Sequence, residues 1–278
     1  MIGILLAALS GLVWGVGDFS GGKASQRADS LLVVVLSKVV SLPLLAVYLL
    51  LIPGALSAHA MTWGAAAGVL GVLGMFVFYR ALAAGAMAIV APISAVTTAL
   101  IPVAFGLATG ERPGTLALTG AACAIAAIGL VSAAGGAGGR VTGRLVGLAL
   151  LSGAAFGLFF TCLAHAGDGG GLWPIAGAQV AAVAFGAPFA WARFRRGAAL
   201  PAGSSRRWMI TAGLLDMSAN ALYLLAVARG DLSIIAPIAS LYPVSTVLLA
   251  MLVDRERLRP VQLAGLGLAA TALVLVAS

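Results

Sequence analysis

Apolar residues run almost unbroken along the chain, interrupted by short clusters of glycine, proline and charge. The runs fall near 2–20, 31–51, 61–83, 86–108, 113–134, 145–164, 172–192, 208–228, 231–253 and 260–277. Each approaches the roughly 20 residues that a helix needs to cross a hydrocarbon core. A transmembrane barrel would instead show segments of about ten residues with alternating polarity, and in lipid a continuous apolar run satisfies its backbone only as a helix. The pattern predicts an all-α integral membrane protein with ten transmembrane helices. Connections are short throughout; the longest runs from Arg193 to Arg207, which leaves no soluble domain to expect.

Composition supports lipid as the solvent. Of 278 residues, 62% are hydrophobic and 9% charged, against about 25% charged in ordinary globular domains, and a two-layer soluble fold cannot hide so much apolar surface. The net charge of +8 could suggest a nucleic-acid partner. However, the basic residues lie almost entirely in the gaps between runs, where they read as topology signals and contacts to anionic headgroups. The expected partners are therefore a lipid bilayer and a small-molecule substrate, with no nucleic acid. Cys123 and Cys162 fall inside apolar runs and read as small buried hydrophobes. The first run lacks a basic n-region and is followed by many others, so it reads as a span rather than a signal peptide.

The chain repeats itself. A shift of 145 residues lays Trp63 on Trp208, Gly68 on Gly213, Ala81 on Ala226, Gly85 on Gly230, Ala91-Pro92-Ile93 on Ala236-Pro237-Ile238, Glu111-Arg112 on Glu256-Arg257 and Gly120 on Gly265. Near the amino end a shift of 142 lays Leu9-Ser10-Gly11-x-x-Trp14-Gly15 on Leu151-Ser152-Gly153-x-x-Phe156-Gly157. Two five-helix repeats follow, 1–139 and 140–278. Because five is odd, the second must enter the membrane inverted. With both repeats in one chain, a monomer is expected. Charge tests the inversion: the gap between runs 2 and 3 has no Lys or Arg, whereas its mate between runs 7 and 8 has Arg193, Arg195, Arg196, Arg206 and Arg207. Thirteen of the sixteen basic residues fall on one side, Arg112 and Arg229 on the other, and Lys38 lies inside run 2. The positive-inside rule makes the rich side cytoplasmic, with both termini outside.

The Trp-Gly or Phe-Gly turn in each first span, the Ala-Leu or Ala-Val followed by Gly and then Ala-Pro-Ile, and the Glu-Arg before a last span carrying Gly120 or Gly265, all duplicated in order, resemble the ten-helix EamA-type permeases of the drug/metabolite transporter superfamily. The resemblance covers essentially the whole chain. It implies a carrier of the inner membrane that moves small metabolites, often amino acids outward, by alternating access between the halves. It also implies cytoplasmic termini, against the charge count.

Ionisable groups inside a span are functional candidates, since a charge at the bilayer centre costs at least about 2.5–3.5 kcal/mol. Asp216 lies well inside run 8, with Asn220 one turn on and Tyr223 near the same face. Lys38 lies in the middle of run 2. Either Asp216 is a proton or substrate-amine site with Lys38 as counter-charge or carboxylate contact, or the two form a structural salt bridge, or either bonds a neighbouring backbone. If transport is coupled, Asp216 is the proton-carrier candidate. Gly15-Val16-Gly17-Asp18 matches the Gly-x-Gly-Asp of intramembrane aspartyl proteases, which need two facing aspartates. The order of motifs is wrong for that family, and Asp18 reads as an interfacial residue ending span 1. No enzyme activity is expected.

Trp63, Trp173, Trp191 and Trp208 sit at run ends, as an aromatic belt does. Trp14 is internal, and Phe78, Tyr79, Tyr223 and Tyr242 also lie within runs; these could line a midplane cavity or pack between helices. Pro92 and Pro237 occupy equivalent places in runs 4 and 9 and are hinge candidates. Ser94, Thr97, Thr98, Ser240, Ser245 and Thr246 could bond substrate or their own helices. Gly11-x-x-x-Gly15 and Gly153-x-x-x-Gly157 read as helix-packing motifs. His59 and His165 have no partners suggesting a metal, and no phosphate-binding Gly-x-x-x-x-Gly-Lys occurs, so no cofactor and no direct ATP drive are expected. Efflux of lipophilic cations is the alternative to amino-acid export.

Overall fold

The computed structural model describes residues 2–83, 87–108, 115–133, 142–166, 170–229, 238–240, 242–253 and 259–277. Among them all regular structure is helical: α1 Ile2–Ser25, α2 Ser30–Val40, α3 Leu42–Leu51, α4 Ala58–Ala83, α5 Met87–Ala108, α6 Thr115–Ala133, α7 Gly143–His165, α8 Trp173–Arg195, α9 Gly203–Val227, α10 Pro243–Val253 and α11 Pro260–Ala277. Among the described residues, six stretches are long and apolar enough to cross a membrane: α1, α2 with α3, α4, α7, α8 and α9. Pro237 and the Glu-Arg pairs 111–112 and 256–257 lie outside the described residues.

Local chemistry sets the helix boundaries. Asp29 caps α2 by accepting from the Leu31 and Leu32 amides at 3.0 and 3.3 Å, and Thr142 caps α7 by accepting from Leu145 N at 3.2 Å. Pro43, in the first turn of α3, has no N–H to donate, so α2 and α3 form one span broken at Ser41. The first span is longer than its hydropathy suggests. The sequence pattern ends it near residue 20, with Asp18 as an interfacial residue, but α1 continues to Ser25. A Cβ at Gly21 would strike the Tyr79 ring, so the glycine is there to let α4 approach an uninterrupted helix.

The most extensive helix pairings join the two halves. α1 packs against α9, and its counterpart α7 against α4; α4 packs against α8, and its counterpart α9 against α2; α7 packs against α5, and its counterpart α1 against α10; α6 packs against α11. Exchanging the halves returns the same set of pairs. The small-residue motifs obey the same exchange. A Cβ on Gly11 would lie 2.8 Å from Ala239 O, and one on Gly15 would strike Ser245 and Tyr242, whereas Gly153 and Gly157 abut Ser94, Thr97 and Ile101 of α5. Gly68 meets Ala178 of α8, and its mate Gly213 meets Ser37 of α2.

The two ends of the bundle confirm the inversion. At one end the α1–α2 turn meets the α8–α9 turn: Asp29 N donates to Ala199 O at 3.0 Å, Arg193 pairs with Asp29 at 2.8 Å, and Arg27 donates to Ser204 at 2.8 Å. At the other end, Trp173 Nε1 donates to Gly54 O at 3.2 Å. There too His59, which lies in the first turn of α4 rather than in a loop, bonds His165 O through Nε2 at 2.8 Å. The α2–α3 exit and the α8–α9 turn are repeat mates, and they sit at opposite ends.

Candidate functional site

Between the halves lies a cleft of about 460 Å³, counted out to its open side. Its lining joins Trp14 and Asp18 of α1, Lys38 of α2, Gly71 and Met75 of α4, Phe156, Phe159 and Phe160 of α7, Asp216 and Asn220 of α9, and Tyr242 just before α10. Lys38 Nζ donates to Asp216 Oδ2 at 2.6 Å, and each side chain is only 10% exposed. This charge-assisted bond joins α2 of one half to α9 of the other. The kink at Ser41 is bonded around the lysine: Lys38 O accepts from Ser41 Oγ at 2.9 Å and from Gln179 Nε2 at 2.8 Å, and Gln179 also donates to Ser41 Oγ. One turn beyond Asp216, Asn220 Nδ2 donates to its carbonyl at 2.7 Å.

Asp18 is misplaced by the sequence pattern. It is not interfacial: the continued α1 carries it inside the bundle, 8% exposed, on the wall of the same cleft. Its nearest charges are Asp216 and Lys38, yet among the described residues its carboxyl has neither a hydrogen bond nor an ion pair. The two aspartates of the protease reading thus share a cavity, but Asp216 is held by an ammonium, so they do not form a proton-sharing dyad. Gln179 also escapes the sequence reading. The signal available for both residues is the one that exposes Asp216, a lone polar side chain in an apolar run.

The aromatic candidates divide. Trp14 and Tyr242 face the cleft, whereas Phe78, Tyr79 and Tyr223 stand behind its wall, each no more than 1% exposed. Tyr223 packs with Trp14 and Phe160 in a three-ring cluster, centroids 5.0 to 5.6 Å apart, and among the described residues its buried hydroxyl has no hydrogen-bond partner. Phe78 links Phe156 and Tyr242 edge to face. The hydroxyl candidates bond helices: Thr98 to Gly153 O at 3.2 Å, Thr246 to Gly15 O at 3.0 Å, Ser245 to Leu12 O at 3.1 Å, and Ser94 with Ser152 at 3.1 Å. Pro92 is buried inside α5.

The profile of the EamA-like transporter family matches residues 1–133 and, a second time, 143–278. No curated protein sequence matches the chain. Fourteen chains of solved structures do; one, described only as the crystal structure of a protein, superposes with a TM-score of 0.68 at 16% identity, over 98% of this chain and 95% of that one. At that identity the likeness shows the fold alone.

Proposed function

The chain belongs to the EamA-like transporter family and is a multi-pass membrane protein; from that premise we propose a secondary transporter of the inner membrane that moves a small metabolite, amino acids first, out of the cell by alternating access. In this reading ten helices cross the bilayer in two five-helix repeats, with the arginine-rich end cytoplasmic. No enzyme step is involved. The observation that carries the reading is the Lys38–Asp216 pair in one cleft with the unpaired Asp18. Opposite charges on a single wall suit a zwitterion, whose carboxylate can meet Lys38 while its ammonium meets a carboxylate. The cleft also lies on the pseudo-two-fold between halves, where rocking of one half against the other would switch its access.

Saturable uptake of one or more members of a radiolabelled amino-acid panel into proteoliposomes, above empty liposomes, is expected. Running it with and without a pH gradient decides coupling. No saturable uptake by folded protein would refute the amino-acid assignment. The excess of carboxyls over ammonium groups in the cleft favours a second reading, efflux of lipophilic cations, which predicts uptake of such cations and none of amino acids.

A further inference from the structure

The repeat sorts the lining of the cleft into two kinds of residue. Under the shift of 142, Asp18 corresponds to Phe160; under the shift of 145, Asp216 corresponds to Gly71 and Asn220 to Met75. All six line the one cavity. Asp18, Asp216 and Asn220 are thus each matched in the repeat by an apolar residue or by none, and the cleft brings charged and apolar groups together. The two carboxyls differ. Asp216 is neutralised by Lys38 at 2.6 Å. Asp18 is equally buried and has no partner among the described residues. The groups facing it are Asp216 from α9, Lys38 from α2, Tyr79 from α4 and Tyr242 ahead of α10. None of them donates it a hydrogen bond.

An unpaired charge in a low-dielectric interior is costly, and either a proton or a bound cation removes the cost. We infer that Asp18 is an exchange site, where a proton and the ammonium group of an amphipathic amine or amino acid compete, with the ligand's apolar part on the Phe160 and Met75 side. This rests on the carrier reading given above and specifies its coupling: as the ammonium binds, the Asp18 O–H bond breaks and its proton leaves to water on the open side, one proton released per cation taken up. For an amine cation the charge of the site balances at each turnover; an amino acid brings a carboxylate as well, which falls to Lys38, so its exchange for one proton moves one net charge.

Dicyclohexylcarbodiimide adds to protonated carboxyls in apolar surroundings, so it reports the site whatever the natural substrate is. Purified full-length protein in lipid nanodiscs is treated with it, with and without tyramine or the amino-acid panel, and the adduct is mapped by peptide mass spectrometry. The expected result is an adduct on Asp18 and not on Asp216, fading as pH rises, retained in Asp18→Glu, absent in Asp18→Asn, and lost when tyramine or a panel member is present. An adduct on Asp216 instead, no adduct on either, or an Asp18 adduct that no ligand blocks would overturn the inference. The uptake assay separates the two ideas. Saturable amino-acid uptake without ligand protection of Asp18 leaves the carrier and removes the exchange site, whereas protection by tyramine without amino-acid uptake does the reverse for the amino-acid assignment.

Discussion

The two halves of this molecule pack alike and are furnished differently. In each, the first helix lays two glycines against the fourth helix of the other half, and the third helix lays a glycine on the second. A threonine of each fourth span bonds a glycine carbonyl of the partner half's first helix. The chemistry breaks this exchange. The first half supplies Asp18 and Lys38, the second supplies Asp216 and Asn220, and no polar member of the cleft stands opposite its own copy. Duplication has built the scaffold twice and the site once. A symmetric frame can present one asymmetric site to either side of a membrane, which is what a carrier requires.

The sharpest way to break the comparison is to make the two halves equally apolar at the ion pair. Asp216→Ala leaves Lys38 charged and unpartnered inside the bundle, and breaking one side of a buried pair costs about 3–5 kcal/mol. A large fall in the unfolding midpoint in detergent is expected, whereas the same substitution at the repeat mate, Gly71→Ala, presses only on the Phe159 ring and costs about 1 kcal/mol. The double variant Lys38→Met with Asp216→Leu removes both charges and should recover the stability lost in Asp216→Ala. Similar midpoints for Asp216→Ala and Gly71→Ala would mean that the pair does not hold α2 to α9.

Next in size is a test of the scaffold's symmetry. Gly15→Val and Gly157→Val both force a side chain into the crossing of a first helix with a fourth, where no space exists, and overpacking costs about 1–3 kcal/mol. The two losses should be alike, and a marked difference would show that the crossings are not equivalent. A smaller effect falls on Gln179→Leu, which loses the bonds to Lys38 O and Ser41 at about 1 kcal/mol; thermal unfolding with and without this change measures how far the kink depends on them. The least effect on stability, within about 0.5 kcal/mol, belongs to Asp18→Asn, since no described bond is lost. A greater loss would reveal a partner for that carboxyl.

Hydropathy and the internal repeat make most of the architecture legible. Apart from the ninth run, whose start lies outside the described residues, the apolar runs locate the helices to within a few residues, and the loop arginines predict the inversion that the two ends display. Packing motifs are readable because close approach needs small residues at helical spacing, as at Gly11 and Gly15. The site is less legible. Asp216 and Lys38 stand out as charges deep in apolar runs, and their pairing is one of the arrangements that the sequence allows. Asp18 is misplaced because the apolar run ends just beyond it in the sequence, while in the bundle α1 continues and Gly21 admits Tyr79. Which aromatics face the cleft is not readable either, since Tyr79 and Tyr242 have the same residue type in similar apolar runs and differ only in what packs around them.

The most direct test of the central claim is counterflow of the radiolabelled amino-acid panel in proteoliposomes bearing the wild-type chain or the Lys38→Met, Asp216→Leu double variant. With the scaffold preserved and the ion pair of its asymmetric site removed, saturable counterflow by the wild type should be lost in the variant despite wild-type-like stability. Undiminished counterflow in the variant would contradict the account, since the carrier would then work without the ion pair on which its site is built.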